Sequence, residues 1–147
     1  MDFSSEVGLW TLNSNRYSTS WAKRSAPAAG VLHELTELAQ SLELKELLKK
    51  VGHDEGYYAG ELAAHVRRLG GNASNQTGDF IEKVRAVGDF KGKLELLNKG
   101  QRWVIRKIEE QLPTLGEARL KAFLKVMADG HRTNIAAVDD ALKAGLN

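Results

Sequence analysis

The chain has 147 residues, 42% hydrophobic and 27% charged, which is enough for one folded domain spanning residues 1–147 and too little for two. Its 21 lysines and arginines stand against 19 aspartates and glutamates, so the surface is mixed and nucleic acid is not the expected partner. There is no cysteine, which removes disulfides, thiolate metal sites and cysteine nucleophiles.

No apolar run approaches the ~18 residues a membrane-spanning helix requires, and the first twenty residues lack the basic start and apolar stretch of a secretory signal. A cytoplasmic location is therefore expected.

In chain order, the first eight residues are expected to be disordered. Trp10, Tyr17 and Trp21 follow at spacings of seven and four, which places them on one helical face. The intervening Asn, Ser and Thr residues are poor helix formers, so a kinked or broken N-terminal helix is predicted. Ser25-Ala-Pro27 fits a helix start, with Val31, Leu32, Leu35, Leu38 and Ala39 turned inward as far as Gln40.

The clearest period begins at Leu44 and continues through Leu48, Val51, Tyr58, Leu62, Val66 and Leu69, a single apolar stripe. Gly70-Gly71 should end that helix. Gly52, Gly56 and Gly60 form a smooth strip along it, suited to a close helix–helix contact or, less simply, a groove for a ligand. A polar loop, Asn72 to Gly78, leads to a short helix from Asp79 to Val87.

Asp89 caps the next helix, marked by Phe90, Leu94, Leu97, Val104, Ile105, Ile108 and Leu112 and stopped by Pro113. Thr114-Leu-Gly-Glu117 reads as a capping box for the last helix, whose inner face is Leu120, Phe123, Leu124, Met127, Ile135, Val138 and Leu142. Long helices with short connections describe an all-α antiparallel four-helix bundle.

In such a bundle the informative residues are polar ones on the apolar stripe, because their burial is costly unless they are paired or ligating. At about 100° per residue, Glu55 falls at the centre of its stripe, with His65 at the edge. Gln101 lies four after Leu97 and seven before Ile108. His131 lies four after Met127, and Asn134 seven after it. The candidate metal ligands are Glu55, His131 and His65, with Tyr58, Gln101 and Asn134 as inner polar neighbours. The alternative use of the same residues is a hydrogen-bonded core network.

No nucleophile elbow, phosphate-binding glycine loop or HExxH motif occurs. Catalysis therefore stays undecided, and no catalytic residue is assigned.

The segments GHDEGYYAGELAAHVRRLGG, TGDF, LLNKGQRWVIRKIEEQLP and FLKVMADGHRTNIAAVDDAL, from Glu43 to Leu142, resemble small bacterial ferritin-like proteins grouped as a domain of unknown function. The resemblance implies a ferritin-like bundle. In the wider superfamily two irons lie between single glutamates on two helices and Glu-x-x-His pairs on the other two.

Glu55 matches the glutamate of one pair, but Tyr58 stands where its histidine belongs. Gln101 replaces a glutamate, and Ala128 stands three before His131. No carboxylate occurs near Arg24 to Ala26, where the first helix should supply one. A degenerate di-iron site is thus implied, with no cofactor as the leading expectation and iron or another divalent metal as the alternative. The functional expectation is a binding, interaction or structural protein that self-associates, most simply as a dimer.

Overall fold

From residue 30 onward the regular elements of the computed structural model, which describes residues 12–13, 16–17, 30–70 and 80–147, are helical. Helix α1 is in place at residue 30 and runs to residue 38. It is followed by α2 (Leu42–Arg68), α3 (Phe80–Ala86), α4 (Phe90–Gln111) and α5 (Ala118–Lys143). The described residues are thus all-α apart from a two-residue antiparallel ladder, β1 (Leu12–Asn13) with β2 (Arg16–Tyr17).

That ladder corrects the expected N-terminal helix. Tyr17 is in an extended segment paired with Leu12, so it cannot share a helical face with Trp10 and Trp21. Asn and Ser are poor helix formers, and Asn13-Ser14-Asn15 places three in a row in this stretch of the sequence. Trp10, Trp21, residues 1–8, the helix start at Ser25 to Pro27 and the loop at 72–78 lie outside the described residues.

Local chemistry sets the helix ends. Ser41 Oγ accepts from Leu44 N at 3.0 Å, and Asp89 Oδ2 accepts from Gly92 N at 2.8 Å, each satisfying a donor that the first turn leaves free. α2 ends as the sequence indicated, with Gly70 at a φ of 81°, a left-handed conformation that a Cβ would strain. At the start of α5 the capping box is corrected. Glu117 is itself the N-cap, accepting from Leu120 N at 2.6 Å, while Thr114 closes a 3-10 turn, Leu112–Thr114, by donating to Gln111 O.

Buried side chains then fix the packing. α2 turns Leu44, Leu48, Val51, Leu62 and Val66 inward, α4 turns Leu94, Leu97 and Ile108, and α5 turns Leu120, Leu124, Met127 and Val138. α5 lies antiparallel between α2 and α4. Its Glu117 meets Arg68 and its Asn134 meets Lys50 on α2, while its Arg132 pairs with Glu109 and its Asp139 with Arg102 on α4.

On the other side, α1 runs antiparallel to α2. Lys45 Nζ donates to Thr36 O at 3.1 Å, and Leu32 Cβ lies 3.4 Å from where a Cβ on Gly52 would stand. Arg85 of α3 makes a two-pronged ion pair with Glu34 of α1. Lys93 Nζ donates to the last carbonyls of α3, Val84 O and Arg85 O. The final turn after α5 folds back, so that Asn147 O accepts from Gln40 N and Ser41 N at 2.8 and 2.7 Å. No helix among the described residues is long and apolar enough to cross a membrane.

Candidate functional site

At mid-length of the α2–α5 contact, two titratable side chains meet inside the core. Glu55 and His131 are 5% and 1% exposed, with Glu55 Oε1 3.2 Å from His131 Nε2. His131 Nδ1 donates to Met127 O at 3.0 Å, a carbonyl that can only accept, so the tautomer is fixed and Nε2 is the atom turned to the carboxyl.

The separation is that of an ion pair, but Oε1 is not aligned for a hydrogen bond and stays without one. Burial pushes the Glu55 carboxyl above its ordinary range; His131 opposes that rise and Asp54 adds to it. Burial thus disfavours the charged form of this carboxyl more than it would at the surface.

Tyr58 stands three residues after Glu55 and continues the contact. Its ring lies 5.6 Å from that of His131 and 6.4 Å, edge-on, from that of Phe123. Burial raises its phenol, and the nearby Asp54, Glu55 and Tyr57 raise it further. The hydroxyl fits against bare backbone, since a Cβ on Gly130 would lie 1.9 Å from it.

His65 does not join this pair. It is ten residues beyond Glu55, ~15 Å along the helix at 1.5 Å per residue, where it packs on Phe123 at 5.1 Å and accepts from Arg68 at 3.0 Å.

The other inward polar residues are used elsewhere. Asn134 closes a triangle: its Oδ1 accepts from Lys50 Nζ at 2.8 Å, its Nδ2 donates to Asp54 Oδ2 at 3.1 Å, and Lys50 reaches Asp54 at 2.9 Å. Burial alone would raise the Asp54 carboxyl, but the bonds from Lys50 and Asn134 outweigh it and hold the group low.

Gln101 is buried, with its Oε1 unpaired, at a different level. On α4 it is Glu109 that meets Arg132, next to His131, and Gln101 lies eight residues earlier, ~12 Å along the axis.

Sequence reasoning missed Asn98, which is 1% exposed. Its Nδ2 donates to Asp139 Oδ1 at 2.8 Å and to Ile135 O at 3.3 Å, and Arg102 holds the other oxygen of Asp139 at 2.7 Å. The signal was present, because Asn98 lies four after Leu94 and seven before Ile105 on the same stripe. Thr36 was also missed; it is buried with its hydroxyl donated to Leu32 O.

The arginines that could have made an anion-binding patch are dispersed. Arg68 and Arg102 engage Glu117 and Asp139, which are 22 residues apart on α5, or ~33 Å. The bond from Arg68 holds the Glu117 carboxyl down at about 2.

Among the described residues no three His, Asp or Glu side chains converge as a metal-binding group. One carboxylate and one imidazole do not fit a di-iron centre, which needs bridging and terminal carboxylates together with two histidines, and no chemistry is derived through one.

A family model described as a domain of unknown function, DUF6306, matches residues 22–140. The chain belongs to that family. Its matched span takes in every helix described above except the last residues of α5. Neither a curated protein nor a solved structure matches the chain.

The Glu55–His131 geometry yields a direct expectation. A group raised above its unfolded value favours folding below that value, ~4.3 for glutamate, and loses the contribution as pH rises through the folded one. Glu55→Gln keeps the shape and removes the buried charge. Urea unfolding should find the variant at least as stable as the parent near neutrality, with the difference growing as pH rises from ~4.3 through the folded value and levelling off above it. A variant much weaker at every pH would show that the carboxylate itself is needed.

Proposed function

We propose that this is a ferritin-like antiparallel four-helix bundle of bacterial type that lacks a complete di-iron site and acts as a cytoplasmic binding, interaction or structural protein, self-associating as a dimer. The observation that carries the reading is the use made of the inner polar groups. Glu55 faces His131, Asn134 ties Lys50 to Asp54, and Asn98 ties α4 to Asp139. Side chains spent pairwise at separate levels hold helices in register rather than surround a reacting centre.

The glycine strip supplies the candidate contact face. Its spacing suits a close helix–helix contact, yet among the described residues a Cβ on Gly56 or Gly60 would meet nothing within 4 Å, and of the three only Gly52 is approached, by Leu32. Glycine costs about 1 kcal/mol relative to alanine within a helix, and no contact among the described residues offsets that cost at positions 56 and 60.

Sedimentation velocity tests the reading. The parent chain should sediment as a dimer, and Gly56→Arg with Gly60→Arg as a monomer of unchanged helicity. A monomeric parent at all micromolar concentrations would contradict self-association. Gly56→Ala with Gly60→Ala should raise the thermal stability of the isolated monomer by up to ~2 kcal/mol.

A second reading draws on the unpaired Oε1 of Glu55 beside an imidazole whose other nitrogen is fixed by a backbone carbonyl, an arrangement common around metal-bound histidine. In that reading a single iron, manganese or zinc ion sits at Glu55 and His131 beside Tyr58, in an oxidative or stress-related protein.

A further inference from the structure

Where α2 begins and α5 ends, the two helices leave a groove of about 340 Å³ lined by Glu43, Leu47, Ala137, Asp140, Ala141, Ala144 and Leu146. Its floor is apolar: Leu47 and Leu146 are only half covered, and the alanines between them let whatever lies there approach α5 closely. The turn that carries Leu146 is tied to the entry of α2, because Asn147 O accepts from Gln40 N and Ser41 N.

Glu43 and Asp140 stand on opposite lips, both exposed, and neither is engaged in any of the ion pairs or side-chain hydrogen bonds of the described residues. Most other carboxylates on these helices behave differently. Asp54, Glu117, Asp129 and Asp139 are each held by a cation. An apolar trough between two unneutralised carboxylates is complementary to a rod that is apolar on one side and positively charged along both edges.

The dimensions agree with that shape. From Ala137 to Ala144 the groove follows seven residues at the end of α5, about two helical turns or ~10 Å. That is the length over which a helix presents apolar side chains at i, i+3, i+4 and i+7 to a groove. Flanking lysines or arginines on such a helix would reach Glu43 on one side and Asp140 on the other, setting its position and raising the rate of encounter. A neutral or acidic helix would gain the same apolar contact but leave both carboxylates beside an unfavourable surface.

We infer that the groove between the start of α2 and the end of α5 docks a basic amphipathic helix of a partner protein. This rests on the reading of the protein as an interaction module, and names the chemistry of the partner.

The test uses the full chain and a fluorescently labelled synthetic peptide with leucines at i, i+3, i+4 and i+7 and lysines on both flanks. A scrambled peptide of identical composition is the control. Anisotropy should report saturable binding of the ordered peptide only, weakened at least fivefold in Glu43→Gln, Asp140→Asn and several-fold by added salt. Both substitutions lie on the exposed surface and are close in shape, and unchanged circular dichroism confirms that they fold. Equal binding of the scrambled peptide, no binding of either, or affinity indifferent to the two substitutions would overturn the proposal. Those results leave the self-association measured by sedimentation unaffected, so the two ideas fail separately.

Discussion

Gly130→Ala should destabilise the protein, although alanine is the better helix former. In an open helix position the change would gain about 1 kcal/mol. Here the new methyl would lie 1.9 Å from the Tyr58 hydroxyl and 2.8 Å from Cζ. Tyr58 is 8% exposed and held between the His131 and Phe123 rings, so its tip cannot swing aside without moving one of them. Overpacking of this kind costs about 1–3 kcal/mol, which exceeds the helical gain.

The sign should reverse in a Tyr58→Leu background, where the obstruction is gone and the alanine should become neutral or favourable. Chemical denaturation of the four proteins in this cycle measures the coupling directly. Additive effects would mean that Tyr58 and Gly130 do not pack as described.

A larger loss is expected from Asn98→Asp, which changes almost no volume. Asn98 Nδ2 donates to Asp139 Oδ1 at 2.8 Å and to Ile135 O at 3.3 Å. An aspartate there places a second carboxylate against Asp139 and a carbonyl oxygen, at a site 1% exposed. Arg102 already serves Asp139 from the other side, through Oδ2.

An uncompensated buried charge costs about 3–5 kcal/mol. The introduced carboxyl would titrate above its unfolded value, so part of the stability should return as pH falls and it becomes a donor. Unfolding midpoints at two pH values decide the matter. A loss below ~1 kcal/mol, or one independent of pH, would contradict the buried α4–α5 tie.

Helix positions were legible because burial and sequence share one period. Leu44 to Val66 repeats every three or four residues, and each of those leucines and valines is buried. Gly70 and Asp89 were legible for local reasons, a left-handed turn and a short side chain able to cap. The same arithmetic placed Glu55, Gln101, His131 and Asn134 inside.

What periodicity cannot supply is level along the bundle. It gave Gln101 the same inward direction as Glu55 and His131, but tertiary register set it two turns away beside Asn98. His65, at the edge of its stripe, is likewise set apart from Glu55 along the axis, and its contact with Phe123 is fixed only once α5 lies antiparallel to α2. The N-terminal stripe failed on propensity. Helical spacing did not make Tyr17 helical; it is paired with Leu12 in the β1–β2 ladder, in a stretch rich in the poor helix formers Asn and Ser.

The central claim is that Glu55 and His131 are a buried pair within the α2–α5 contact and do not form half of a metal site. Elemental analysis of untagged protein purified without chelator tests it most directly, with the Glu55→Gln, His131→Ala double variant beside it. The claim predicts iron, manganese and zinc far below one ion per chain in both. Near-stoichiometric metal in the parent that disappears in the double variant would contradict it.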